Sequence, residues 1–177
     1  MSPPGRGEAI GILKSAGCSR SVISHCLNVA GLAARIGGSL VRAGFEMDLT
    51  LVEAGALLHD LGRSVTHGTK HAVIGGKLAR ERGLPLSVVK IVERHMGAGV
   101  PADEAKELGF PDGIYVPKSL EEKVVCYADK LAEGPGEVEF GVTVGRMAKK
   151  LGADHPALGR MWALHGEITG MLSSGYR

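Results

Sequence analysis

Leu57-Leu58-His59-Asp60-Leu61-Gly62-Arg63 sets two polar groups at the end of an apolar helical run that Gly62 closes. A lone His-Asp pair carries little information. Here His25 lies upstream in another apolar helical run, Asp129 lies downstream in a third, and His71 and His95 fall between them. Helices that each bring a nitrogen or a carboxylate to one point are what a buried divalent-metal site needs.

The rest of the composition fits such a core. The 177 residues match one domain, and a chain of this size buries enough surface to need no covalent staple. Lys and Arg number 21 against 19 Asp and Glu, so charge gives no case for a nucleic-acid polymer as partner. Cys18, Cys26 and Cys126 are odd in number, widely spaced and in apolar contexts. They read as reduced thiols of a cytoplasmic protein. No apolar run reaches membrane-spanning length, and the first residues lack a signal core. Aromatics are few and Gly numbers 27, so the core is expected from Leu, Val, Ile and Ala.

The apolar period is helical almost throughout, which predicts an all-α fold, a bundle in one domain. Helices are expected over about Gly7 to Ala16 and from a Ser19 or Ser21 cap to Arg42. A third runs from Asp48, with the capping box Thr50-x-x-Glu53, through Leu61. Others cover about Lys70 to Arg82, Pro85 to Met96, and Ala102 to Leu108. The box Ser119-x-x-Glu122 opens the helix of Asp129, which Gly134-Pro135-Gly136 ends; two more run over about Glu139 to Leu151 and Pro156 to Leu172. No strand is expected. Gly97 to Lys118 reads as an irregular lid or specificity segment, in which Tyr115 could stack on a base.

Taken singly, His25 reads first as a core histidine bonded to a carbonyl. Asp129 changes the balance, because an unpaired buried carboxylate needs a cation or strong donors. Lys130 is the local alternative, yet it sits about 100° around the helix from Asp129. One buried polar residue on helix after helix is better explained by a shared metal. Nitrogen and carboxylate ligands suit Mn, Fe, Co, Ni or Zn better than Ca.

These residues carry a resemblance. The order His25, His59-Asp60, Asp129, with the flanking blocks VISHCLNVAGLAARI, EAGALLHDLGRSVTHGTKHAVIGGKLA, IVERHM and EEKVVCYADKL, resembles the HD superfamily of metal-dependent phosphohydrolases, in its HDIG-type branch of small archaeal proteins. The likeness covers about residues 7–132, leaving C-terminal helices over about 139–175 in the same domain. Leu61 stands where the HDIG label has Ile. The resemblance implies that His25, His59, Asp60 and Asp129 hold one metal. His71 and His95 match the extra histidines of binuclear members, in which Asp60 bridges. It also implies a metal-activated water that cleaves a nucleotide or another small phosphate ester.

Around that set, Arg63 is a candidate for gripping a phosphate and equally a favourable cation at a helix end. Lys130 is a weaker substrate contact. His67 is a candidate general acid or a solvated loop residue. His155 reads as a helix start and His165 as amphipathic surface. Two other readings stand beside hydrolysis. One is a di-iron oxygenase of the same superfamily; the other is a nucleotide-binding sensor without turnover. The C-terminal helices, with Met161, Trp162, Leu164, Ile168 and Met171, could cover the core or a partner copy in a homo-oligomer.

Overall fold

Side-chain caps start three of the helices that carry candidate ligands, those of His25, His59 and Asp129. In the computed structural model, which describes residues 2–175, α1 spans Arg6–Ser15 and α2 spans Arg20–Arg42. The Ser19 hydroxyl at the head of α2 accepts the Val22 amide. Asp48 caps α3, Leu49–Leu58, by accepting the amides of Thr50 and Leu51. The expected Thr50–Glu53 box does not form. Asp48 already satisfies those donors, and Glu53 instead pairs with Arg6 at 2.8 Å. A 3-10 turn, Leu61–Ser64, leads to α4, His71–Glu81, and α5, Leu86–Arg94. After α6, Ala102–Glu107, comes α7, Leu120–Leu131, where Ser119 accepts the Glu122 amide. That box is only half made, because the Glu122 carboxylate turns to the Lys118 amide and to Arg94. The chain closes with α8, Phe140–Leu151, and α9, Pro156–Ser174.

Two boundaries differ from the sequence reading. α3 stops at Leu58 rather than Leu61. The His59 ring takes the Ala56 carbonyl at 2.7 Å, the group that the next helical amide would have used. A hairpin also follows α7, with β1, Ala132–Glu133, antiparallel to β2, Gly136–Glu137. Its Gly134-Pro135 turn needs the positive φ of Gly134, 53°. Two residues per strand are too few to show alternation.

α3 is the buried centre. Val52, Ala56, Leu57 and Leu58 are all 0 % exposed, and α3 packs on α1, α2, α5 and α7. A mostly apolar helix gains most when its apolar length is covered by several neighbours. Met161, Leu164 and Ile168 of α9 join the same apolar core. The segment between α5 and α7 has a small core of its own, Val100, Ala105, Phe110 and Tyr115. Tyr115 is buried there and its hydroxyl donates to the Pro111 carbonyl at 2.9 Å. It packs edge-on against Phe110 and is only 5 % exposed. Among the described residues no helix is long and apolar enough to cross a membrane.

One backbone contact fixes the turn after Asp60. A Cβ on Gly62 would overlap the His71 carbonyl and come within 2.6 Å of the Gly75 amide nitrogen. A Cβ on Gly75 would in turn lie 3.0 Å from the Gly62 nitrogen. Backbone therefore meets backbone where the turn crosses the first turn of α4. The contact sets His71 at a fixed height against Asp60. Gly62→Ala is expected to lower stability by about 3 kcal/mol, read as an earlier urea midpoint. Gly11→Ala, on open α1 surface with nothing within 4 Å, should leave the midpoint unchanged or raise it slightly. Equal midpoints for wild type and Gly62→Ala would show that the contact carries no such constraint.

Candidate metal centre

Three histidines enter the site in one orientation, and the backbone imposes it. His59 follows α3, His95 follows α5, and His71 begins α4. Each places Nδ1 on the carbonyl three residues earlier: Ala56 at 2.7 Å, Val92 at 2.8 Å and Gly68 at 2.8 Å. A carbonyl only accepts, so Nδ1 carries the proton and Nε2 carries the lone pair. For His59 and His95 the carbonyls belong to helix ends, where such groups lack helical partners. Those ends also bring the negative pole of each helix to the site, which favours a cation.

The three Nε2 atoms converge on Asp60, which is 3 % exposed. Its Oδ1 lies 3.4 Å from His71 Nε2 and 3.6 Å from His95 Nε2. Its Oδ2 lies 3.8 Å from His25 Nε2 and 3.7 Å from His59 Nε2. One carboxylate thus divides its oxygens between two histidine pairs. Asp129 Oδ1 completes the second pair, 3.0 Å from His25 Nε2 and 3.5 Å from His59 Nε2. The sets His25, His59, Asp60 and Asp60, His71, His95 each bring their ligand atoms within 4.8 Å of one another.

This arrangement fits metal ions better than hydrogen bonds. His59 Nε2 and Asp60 Oδ1 are buried without a hydrogen-bond partner. His71 Nε2 and His95 Nε2 face each other at 3.0 Å, although both offer lone pairs in the tautomer that their Nδ1 bonds select. Two ligands of an ion held at about 2.1 Å lie about 3.0 to 3.4 Å apart, from octahedral to tetrahedral angles. Most of the separations here fall near that range. The donor set is all imidazole nitrogen and carboxylate oxygen, which suits first-row divalent ions.

Electrostatics prepare the groups as ligands. Burial opposes ionisation of Asp60, yet His59 and His95 hold its carboxyl well below the usual range. Burial likewise opposes Asp129, and Lys130, His25 and His59 outweigh it. Burial pushes His71 down to about 4, with His95 adding to the shift. Burial also lowers His95. His59 alone among these rings is raised: burial lowers it, but Asp60 and Asp129 prevail.

The outer candidates are placed differently. Arg63 Nε donates to Asp60 Oδ2 at 2.6 Å and its Nη1 reaches the His67 carbonyl at 3.4 Å. Arg63 therefore orients the central carboxylate in this structure. The His67 ring is exposed on the loop before α4 and joins none of the site's hydrogen bonds among the described residues. Lys130 corrects the sequence reading. Its ammonium does bond Asp129 Oδ2 and also the His95 carbonyl, the latter at 3.3 Å. The long stem curls back across the 100° that separates the two positions, so helical spacing alone was a poor guide. His155 caps α9 as expected, accepting the Ala157 amide. His165 is no plain surface residue: it stacks on Phe140 at 4.5 Å and bonds the Tyr127 hydroxyl at 2.8 Å. The carbonyls of Ala56, Gly68 and Val92 escaped the sequence reading, because backbone groups leave no residue-type signal. The one trace was their shared place three residues before a histidine.

Comparison with known proteins shows the family. Residues 22–134 match the HD domain family, and the chain belongs to the HD-domain superfamily. An uncharacterised protein of Methanocaldococcus jannaschii is 42 % identical over 165 residues, covering 93 % of this chain and 97 % of that protein. The tRNA (cytidine(56)-2'-O)-methyltransferase of Thermoplasma volcanium is 38 % identical over 147 residues, 83 % of this chain but 42 % of the methyltransferase. Ribonuclease Y of Acidothermus cellulolyticus is 37 % identical over 78 residues, 43 % of this chain and 15 % of that protein. The chain thus spans less than half the length of those two longer relatives. No solved structure matches it.

HD domains bind divalent metals, and the buried His and Asp groups here could hold them. Elemental analysis should find about two equivalents per chain after purification without chelator. His71→Ala is expected to lose one of the two and Asp60→Ala both. Loss of only one ion in Asp60→Ala would show that the carboxylate does not join the two sets.

Proposed function

We propose that this chain is a metal-dependent phosphohydrolase acting on a small phosphate ester, a nucleotide above all, with two ions sharing Asp60. The observation that carries the reading is the division of the two Asp60 oxygens between two histidine pairs. Family membership supports hydrolase chemistry of this type. When bound, divalent ions would lower the pKa of a coordinated water and neutralise phosphate charge. His25, His59 and Asp129 would hold one ion, and His71 and His95 the other.

The remaining work falls to the chain's own side chains. Asp129 is kept ionised by Lys130, so it stays available as a ligand. Arg63 and Lys130 are the nearby cations, and we assign them the phosphate oxygens that the ions leave uncovered. His67 stands on the loop after Arg63 and is assigned the proton that the leaving alkoxide takes up. The new P–O bond forms from water as the ester P–O bond breaks. The C-terminal helices belong to the same unit in this reading, since Phe140, Met161 and Ile168 share one apolar core with α7.

The longer relatives, a tRNA methyltransferase and a ribonuclease, favour a second reading, in which the phosphoester belongs to RNA. Hydrolysis of p-nitrophenyl phosphate, nucleoside monophosphates and a short single-stranded RNA separates the two. With Mn, Co, Ni or Zn supplied, at least one should be cleaved, and a chelator should stop it. Asp129→Asn is expected to lower kcat by about 100-fold or more, and Arg63→Met to raise KM more than it lowers kcat. Iron with a visible absorption band and no phosphate release would replace hydrolysis by oxygenase chemistry. Nucleotide binding without release under every metal would leave a sensor.

A further inference from the structure

A cavity of about 440 Å³ opens one residue past His95 and two residues before His71. Its near wall includes Thr69, Met96 and Gly97, and its far wall comes from the end of α8 and the start of α9. The volume lies in the range of small-molecule sites, about 300–1,000 Å³. Met96, Val100, Leu108, Met147 and Leu151 make the lining mostly apolar. Against it stand Arg160 and Glu104, paired at 2.6 Å through Nη2 and Oε2. Arg160 Nε is buried and has no hydrogen-bond partner, although both side chains are only 24 % exposed. A donor left over beside a carboxylate acceptor can read a flat group that presents an acceptor next to a donor.

We infer that this cavity is the specificity pocket, and that it takes the nucleobase of a nucleotide whose phosphate lies at the Asp60 centre. This rests on the phosphohydrolase reading for the position of the phosphate, but not for the binding of the base. Thioether and aliphatic walls suit the two faces of a base. The Arg160–Glu104 pair suits its hydrogen-bonding edge. The backbone supplies the link, because Lys130 bonds both Asp129 and the carbonyl of His95, next to Met96 in the cavity wall. The far wall lies beyond residue 134, where the HD family match ends. Chemistry would then come from the shared part of the chain and selectivity from the helices added to it. A further cavity of about 540 Å³ near α4 and α5 is less suited, because none of its lining residues leaves a buried donor without a partner as Arg160 does.

The test is binding of adenosine and guanosine, which lack phosphate, by calorimetry, beside hydrolysis of their 5'-monophosphates. One nucleoside should bind wild type, and Arg160→Met should weaken it about tenfold. Leu151→Trp, at an exposed position on the rim, should fill the pocket and weaken it at least as much. Neither change should alter metal content. Unchanged nucleoside binding in both variants, or no binding to wild type, overturns the pocket. Binding of a short RNA in place of nucleosides also overturns it in this form. Nucleoside binding that depends on Arg160, with no monophosphate hydrolysed under any metal, supports the pocket while removing the hydrolase reading.

Discussion

The structure turns on the burial of one carboxylate. Asp60 sits where α3 has just ended, almost without solvent, and burying an ionised carboxyl costs several kcal/mol unless strong partners surround it. Its partners are not the usual ones. Arg63 reaches only Oδ2, and Oδ1 has no hydrogen bond. Imidazole nitrogens stand around both oxygens at 3.4 to 3.8 Å, too far to donate well, and those of His59, His71 and His95 are turned by their tautomers to accept. A protein stabilised by its own contacts alone would not gather acceptors around an anion. Cations at the centre of each set would convert every one of these repulsions into attraction.

The surrounding architecture serves that constraint. Two helices end at the site, so their last carbonyls are free to fix His59 and His95, and their dipoles point negative ends inward. The third histidine cannot use a helix end, because it opens α4 instead. Its position comes from the Gly62–Gly75 approach, where only hydrogen fits between backbones. Outer groups hold the inner ones in charge: Lys130 for Asp129, Arg63 for Asp60. Orientation of ligands by such partners is what sets a metal site apart from a chance cluster.

The helical architecture was legible because amphipathic periods and caps are local. Ser19, Asp48 and Ser119 announced their helices, and the order of His25, His59-Asp60 and Asp129 pointed to their convergence. What was hidden depended on side-chain reach or on backbone. The position of Lys130 on its helix said that it faced away, while four methylenes let it return. Glu53 and Glu122 had capping-box spacing, yet distant arginines, Arg6 and Arg94, took their carboxylates. Tyr115 looked free because its neighbours are loop residues, but Phe110 packs against its ring and the Pro111 carbonyl takes its hydroxyl. His165 looked like surface until Phe140, which precedes it by 25 positions, folded back to stack on it.

These misses share a pattern. Long side chains and non-local partners defeat a reading based on spacing, whereas short side chains at helix ends do not. Aspartate and histidine at a helix end have few rotamers and little reach, so position nearly fixes what they touch. The convergence of such groups, His59, Asp60 and His95 among them, is therefore readable from sequence. Selectivity depends on Arg160, Met147 and Leu151, which arrive on separate helices and meet only in three dimensions. Their spacing carries no signal of the cavity that they line. The side chains gathered around Asp60 are thus the part that sequence reveals, whereas the cavity that we propose for the base needs the fold.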